Sequence, residues 1–332
     1  MKERTVSLDA RVDHRAGAHI RINLGVTGLL IAANLVLFLV LPAFLLPQSP
    51  FWALLILPIL LLTLTHWALI HEAIHGSLLP RRQANDLLAR VLCIPYGSPF
   101  RIVRFGHLSH HALNGRSAER PEFYDPGRVS RWRIGPLYYV RLMLGLYGAE
   151  LASGPVSLLP RRLLRPIVRR TFYEGRADAR NMPARAEREL LGGHLAQIRL
   201  DALAILLLLG TSFFLYGARW PLLAGALLCR AFAVSVMDNA PHYGGDLEDP
   251  AQGYDLHLPR PFNYLVLNSN LHGTHHSQPN TPWRLLPDAF AKEGRAYSGS
   301  YLTVPWRQFK GPIALTDGAA QESAPRGRSA LT

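Results

Sequence analysis

The sequence predicts an all-α integral membrane protein: four transmembrane helices in two hairpins, with a cytoplasmic, histidine-rich helical cap. Three observations predict it. Apolar residues make up 49% of the 332 and gather in long uncharged runs. The first two runs are joined by only four residues, which makes a hairpin. The loop between the second and third runs, Ser77 to Arg199, holds 21 arginines and no lysine. An excess of basic residues in a loop marks its side of the membrane as cytoplasmic.

Residues 1–21 carry Lys2, Arg4, Arg11, Arg15 and Arg21 and read as a cytoplasmic N-terminal arm. No cleavable signal peptide is expected, because the first apolar run is too long for an h-region. Span one is Leu24 to Leu46; at ~1.5 Å per residue it crosses a hydrocarbon core of ~30 Å with some tilt. Pro47-Gln48-Ser49-Pro50 is an uncharged turn. Span two is Phe51 to Ile70, with Pro58 placed to kink it and Trp52 and Trp67 placed as interface anchors. The apolar stretch Leu137 to Leu159 is interrupted by Arg141, Glu150, Gly154 and Pro155, so it reads as helix at the interface. Arg161 to Arg170 reads as a basic segment facing anionic lipid. Spans three and four are Leu200 to Tyr216 and Trp220 to Met237, with Gly217-Ala218-Arg219 between them. Arg230 is costly in lipid, so it is expected to face the interior or to pair with an acid. The membrane domain is expected to cover residues 22–311, and the small, polar residues 312–332 to be a disordered tail.

The net charge of +13 is carried almost wholly by arginine, with Lys2, Lys292 and Lys310 the three lysines. It fits flanks of membrane spans, and no aromatic-basic pattern for nucleic acid accompanies it. Cys93 and Cys229, the two cysteines, build neither a disulfide framework nor a thiolate metal site.

Chemistry gathers in the histidines. Eight of the 14 fall in three short clusters: His71-Glu72-Ala73-Ile74-His75, His107-Leu108-Ser109-His110-His111 and His272-Gly273-Thr274-His275-His276. Residues three and four apart on a helix share a face. Each cluster can therefore aim its imidazoles at one place, with the adjacent pair splayed. Imidazole suits iron, zinc, copper and nickel. Eight or nine such ligands exceed one ion and fit two, each with four or five nitrogens. With the spans paired into hairpins, all three clusters emerge on one face, above a slot between helices that suits an acyl chain.

HEAIH at 71–75, HLSHH at 107–111 and HGTHH at 272–276 resemble the three histidine boxes of the membrane fatty acid desaturase family, which also includes hydroxylases and carotenoid ketolases. The resemblance covers roughly residues 24–290. It implies a di-iron centre, O2 as co-substrate and a lipid acyl substrate held at the membrane surface. It also implies electrons from a separate ferredoxin-, rubredoxin- or cytochrome b5-like protein, and residence in the bacterial inner membrane with both termini and the site cytoplasmic. The implied ligands are His71, His75, His107, His110, His111, His272, His275 and His276. His242 joins them from Asp238-Asn239-Ala240-Pro241-His242, where many desaturases place a further ligand four residues after an asparagine. Here Asn239 stands three before His242 and Asp238 holds the four-residue offset, which leaves a hydroxylase or ketolase open beside a desaturase. Gly244 and Gly245 would let the backbone pack beneath the site. Glu72, Asp238 and Asn239 are expected as partners of the ligand imidazoles.

His71-Glu72-x-x-His75 also matches the zinc protease signature, with the glutamate as general base; that rival leaves the other two boxes without a role. A metal transporter would need ionisable residues inside its spans, where Arg230 has the wrong sign. His66 is expected as a hydrogen-bonded helix residue, His14, His19 and His194 as surface residues, and His257 outside the site.

Overall fold

The computed structural model describes residues 2–176, 179–247, 249 and 251–315, without the side chains of residues 2–18. His14 and most of the N-terminal arm therefore lie outside the described side chains, as do residues 316–332 of the expected tail. The described chain is mostly helical.

Helix α1 (Lys2–Leu35) continues without a break into the wide turns of Val36–Leu45. A 3-10 turn (Pro50–Leu55) leads into α2 (Ile56–Leu61) and α3 (Thr63–His75). Pro58 lies in α2, and the helical path loosens just beyond it at Leu62. Next come α4 (Arg82–Tyr96) and α5 (Phe100–Leu113), separated by Gly97-Ser98-Pro99. The arginine-rich region supplies α6 (Arg131–Val140), a wide turn at Arg141–Gly145, α7 (Leu146–Ser157), α8 (Arg161–Thr171) and α9 (Met182–Ala186). Helices α10 (Leu195–Tyr216) and α11 (Trp220–Asn239) follow, and then the short α12 (His272–Ser277) and α13 (Leu286–Lys292).

Among the described residues, three helical stretches are long and apolar enough to cross a membrane: His19–Leu45, Pro50–His75 and Leu195–Asn239. The third is 45 residues long. It is broken at Gly217, whose φ of +51° lies in the region that favours glycine, and α10 and α11 then pack on one another. The turn end of this pair packs on the turn end of the first pair. Leu37, Phe38, Leu41, Leu46, Ile56, Ile59, Tyr216, Leu223 and Ala226 form one buried cluster there, and Tyr216 donates to the Leu37 carbonyl at 2.9 Å. Large apolar residues remain on the outside of these helices, with Phe51 80% and Phe214 84% exposed. Such an apolar surface on helices of this length is suited to contact with a bilayer.

A second cluster at the other end joins Leu69, Ile70 and Ala73 of α3 to Leu92 and Tyr96 of α4, Phe100 and Val103 of α5, Tyr147, Val234 and Trp283. The stretch expected at the interface is helical and packs as α7 against α10 and α11. Arg230 is buried without an acid: it donates to Asn34 Oδ1 at 2.6 Å and the Pro95 carbonyl at 3.2 Å, and lies over the Phe38 ring. Among the described residues, four two-residue strands form two parallel pairs: β1 (Phe123–Tyr124) with β4 (Ile313–Ala314), and β2 (Leu256–His257) with β3 (Gly299–Ser300). Ordered chain thus continues past residue 312, where the tail was expected to begin.

Three expectations about single residues are corrected. Trp67 is no interface anchor: it turns inward and its Nε1 donates to Asp238 Oδ1 at 2.8 Å. His19 is no surface residue: it is half-buried, with Nε2 3.2 Å from the Ser77 carbonyl. His194 is also half-buried, at the start of α10.

Candidate metal centre

The first box occupies the last turn of α3, which ends at Gly76 in the left-handed conformation (φ +83°) that glycine adopts most easily at a helix C-terminus. Asn85 of α4 donates to the Ala73 carbonyl at 2.6 Å and holds that turn in place. The second box is the end of α5. The third is almost the whole of α12, a single helical turn and a half that could not persist alone. Asp255 stabilises it by accepting from Thr274 N at 2.9 Å, and Arg295 Nε grips the same carboxylate at 2.6 Å. Gly273 lies against the 253–255 segment, where a Cβ would come within 2.2 Å of the Gly253 carbonyl.

The nine imidazoles expected as ligands converge into two groups. His71, His75, His107, His111 and His275 form one; His110, His242, His272 and His276 form the other. Within each group the candidate ligand atoms lie within 4.8 Å of one another. The i, i+4 pairs stay together, as helical geometry requires. Each adjacent pair is divided: His110 and His111 face different groups, and so do His275 and His276.

The donor chemistry fits a cation in each group. In the first, Nε2 of His107 lies 2.9 Å from that of His75 and 3.0 Å from that of His111, which lies 3.1 Å from that of His275. In the second, Nε2 of His242 lies 3.1 Å from that of His110 and 2.7 Å from that of His272, which lies 3.0 Å from that of His276. A neutral imidazole has one N–H and one lone pair. In a row of four nitrogens, alternating donors can make two hydrogen bonds, and each row has three such contacts. His71 Nε2 is buried with no hydrogen-bond partner. Ligands about 2.0–2.1 Å from one ion stand roughly 3 Å apart, which is the spacing seen.

Burial keeps these rings neutral, the form that binds metal. It lowers the pKa of His272 to about 3, helped by His110, and that of His111 to about 2, helped by His75. His107, His242, His275 and His276 are lowered as well, burial again being the largest cause. In the unfolded chain the same rings titrate near ~6.5. Below that pH the unfolded state binds more protons than the folded state, so stability falls with pH. The metal-free protein is therefore expected to be stable to pH change above pH ~6.5. Below it, stability should fall by up to about 1.4 kcal/mol per pH unit for each ring kept neutral. Thermal unfolding in detergent at a series of pH values checks this, and a flat profile between pH ~7 and ~5 would contradict it.

The expected partners of the imidazoles are only partly where the sequence suggested. Glu72 does not hold an imidazole: Oε2 accepts from Ser77 Oγ at 2.7 Å and from Trp283 N at 3.2 Å. That also turns it away from the general-base role of a zinc protease. Asp238 bonds Trp67 instead of a ring, and Asn239 donates to Gln308 Oε1 at 2.6 Å. His66 donates to the Leu92 carbonyl at 2.9 Å, away from both groups. His257 sits in β2 against the Tyr297 ring.

Different residues hold the rings. Glu119 Oε1 lies 3.3 Å from His110 Nδ1. Gln252 Oε1 lies 3.3 Å from His242 Nδ1, and Gly245 lies so close to Gln252 that a Cβ there would strike its amide. Behind Gln252 sits Arg120, 2% exposed. Arg120 donates to Gln252 Oε1 at 3.2 Å and to the His242 carbonyl, and pairs with the buried Glu122 at 2.7 Å. The one visible signal for these residues was the charged run Arg116 to Glu122 directly after the second box.

A cavity of about 470 Å³ opens from His107 and His110 between α5, α7, α8 and α10. Ile102, Leu146, Val156, Leu164, Ile167 and Ile198 give it apolar walls, and Trp67, Asp238 and Glu150 line it too. Burial pushes the Glu150 carboxyl up to about 8, against the hydrogen bond from Tyr96. This lies in the usual size range of ligand pockets.

No curated protein and no solved structure matches the chain. The sequence model of one family, fatty acid desaturase, matches residues 48–308, from the turn before α2 to the segment between β3 and β4. That span takes in all three boxes, His242 and the whole cavity wall, so this chain belongs to the fatty acid desaturase family.

Proposed function

We propose that the chain is a membrane oxidoreductase that uses two iron ions and O2 to introduce a double bond into a fatty acyl chain. The observation that carries the reading is the division of nine imidazoles into groups of five and four, at the mouth of an apolar cavity. His71, His75, His107, His111 and His275 would hold one ion; His110, His242, His272 and His276 would hold the other. Iron, when bound, supplies the redox chemistry with O2 that zinc lacks.

The protein's own part is positioning. The walls of the cavity hold an acyl chain by burial of apolar surface, worth about 0.8 kcal/mol per methylene. They exclude water and fix one segment of the chain beside His107 and His110. Glu119 and Gln252 hold His110 and His242 with Nδ1 turned outward, which leaves Nε2 for metal.

In this reading the Leu195–Asn239 stretch crosses the bilayer twice, making four spans. The excess of arginine on that side supports a cytoplasmic position for the histidine end. Exposed Arg161, Arg162, Arg165 and Arg170 of α8 suit anionic lipid and the acidic surface of a separate one-electron donor.

Lipid analysis of a host with and without the gene tests the activity. A new double bond in an acyl chain is the expected product. A hydroxyl or ketone would replace desaturation by oxygen insertion, and an unchanged lipid profile with iron-loaded protein present would overturn an acyl substrate altogether.

A further inference from the structure

Trp67 lies one turn before His71 on α3, beside the five-histidine group. Its ring centroid is 6.5 Å from that of His71 and 6.2 Å from that of His107. It also stacks on Tyr96, with centroids 5.7 Å apart and planes within 20°. Tyr147 stands edge-on to Tyr96 at 4.9 Å. Indole and phenol are the side chains that most readily give up an electron, but each must then release its N–H or O–H proton. Here both protons already point at a carboxylate: Trp67 Nε1 donates to Asp238 Oδ1 at 2.8 Å and Tyr96 OH to Glu150 Oε2 at 2.6 Å. Packing alone would be served by any acceptor for a buried indole or phenol. Two half-buried carboxyl groups on a mostly apolar cavity wall are a costly way to provide one. Tyr147 shows the contrast, since its hydroxyl donates to the Tyr96 backbone carbonyl, which is no base.

We propose that Trp67 and Tyr96 form a two-step relay that carries an oxidising equivalent away from the metal centre when no acyl chain fills the cavity; this rests on the reading of the histidine groups as a redox metal site. Trp67 gives one electron to the oxidised metal centre and its Nε1 proton to Asp238. Tyr96 then reduces the indolyl radical, passing its phenolic proton to Glu150 in its ionised form, which is populated near and above pH 8, while Asp238 returns its proton to Trp67 Nε1. The net result is a metal centre reduced by one electron, a neutral tyrosyl radical and a protonated Glu150. The external one-electron donor that the reaction already requires reduces the radical, and Glu150 returns the proton. The relay stops at Tyr96, because Tyr147 has no carboxylate to take its proton. Its location suits a safety function: Trp67, Asp238 and Glu150 line the cavity that the substrate would fill. An acyl chain in place offers a C–H bond as the competing reductant.

The test uses the full chain in detergent, buffered above pH 8 so that Glu150 is largely ionised, purified with iron, its metal content measured, then reduced and mixed with O2 without an acyl substrate. Freeze-quenched samples are read by electron paramagnetic resonance, with and without ring-deuterated tyrosine. A tyrosyl radical is expected in the iron-loaded protein, its spectrum narrowed by the label. Tyr96→Phe should eliminate it, Trp67→Phe should eliminate it at unchanged iron content, and Tyr147→Phe should leave it. Glu150→Gln, which keeps the packing, should lower its yield. An iron-loaded protein with no radical, or a radical that survives Tyr96→Phe, overturns the relay and leaves the metal site standing. A chain that binds no iron overturns both.

Discussion

His242→Ala is expected to lower bound iron from about two ions per chain to about one and to bring product formation below detection, with the protein still inserted and purified. His242 is buried, and its Nε2 lies 2.7 Å from that of His272 and 3.1 Å from that of His110. It reaches the site from the turn after α11, where Pro241 disfavours helix at the preceding residue. Its loss leaves three imidazoles in a group of four. Residues that merely orient a ligand change metal affinity by about 10–100-fold, so removal of the ligand itself should exceed that. His257→Ala is the matched control, because that ring is exposed against Tyr297, and it should retain full iron. If His242→Ala lowers only yield or thermal stability and keeps its iron per folded chain, the residue is a structural turn histidine. Loss of metal from His257→Ala alone would show that the wrong histidine was chosen.

Arg120→Met is expected to destabilise the protein by about 3–5 kcal/mol, the usual effect of removing one partner from a buried ion pair. Glu122, fully buried, would lose the cation 2.7 Å away. Gln252 and the His242 carbonyl would lose donors at the same time. Because Gln252 faces His242 Nδ1 at 3.3 Å, the four-histidine group should lose metal before the five-histidine group. Denaturant unfolding in detergent and metal analysis give the two readouts. Arg120→Met/Glu122→Met should recover part of the stability, since replacing both partners removes the uncompensated charge. Unchanged stability and iron in Arg120→Met would mean that the pair has no such role.

Several features followed from the sequence by itself, because short-range rules govern them. Long apolar runs make helices of membrane length, and a four-residue turn brings a chain back beside itself. A helix places residues i and i+4 on one face, so the boxes were readable as ligand sets and the resemblance named their family. The inward position of Arg230 followed from the cost of a charge in lipid.

Tertiary structure decided the rest. Which ion each histidine would serve depends on how three helix ends meet, and the adjacent histidines of the second and third boxes went to different groups. The residues that orient the rings were misread for the same reason. Glu72, Asp238 and Asn239 are near the ligands in sequence, yet Glu72 turns to Ser77 and Trp283, Asp238 to Trp67 and Asn239 to Gln308. The residues that do face the rings, Glu119 and Gln252, come from a single 3-10 turn and from a loop, with no periodic pattern to announce them. Trp67 carried an interface signal by its place in the run, and packing turned it inward instead. A hydrogen bond between residues 171 apart in the chain is fixed by how helices pack, and no local spacing in the sequence records that.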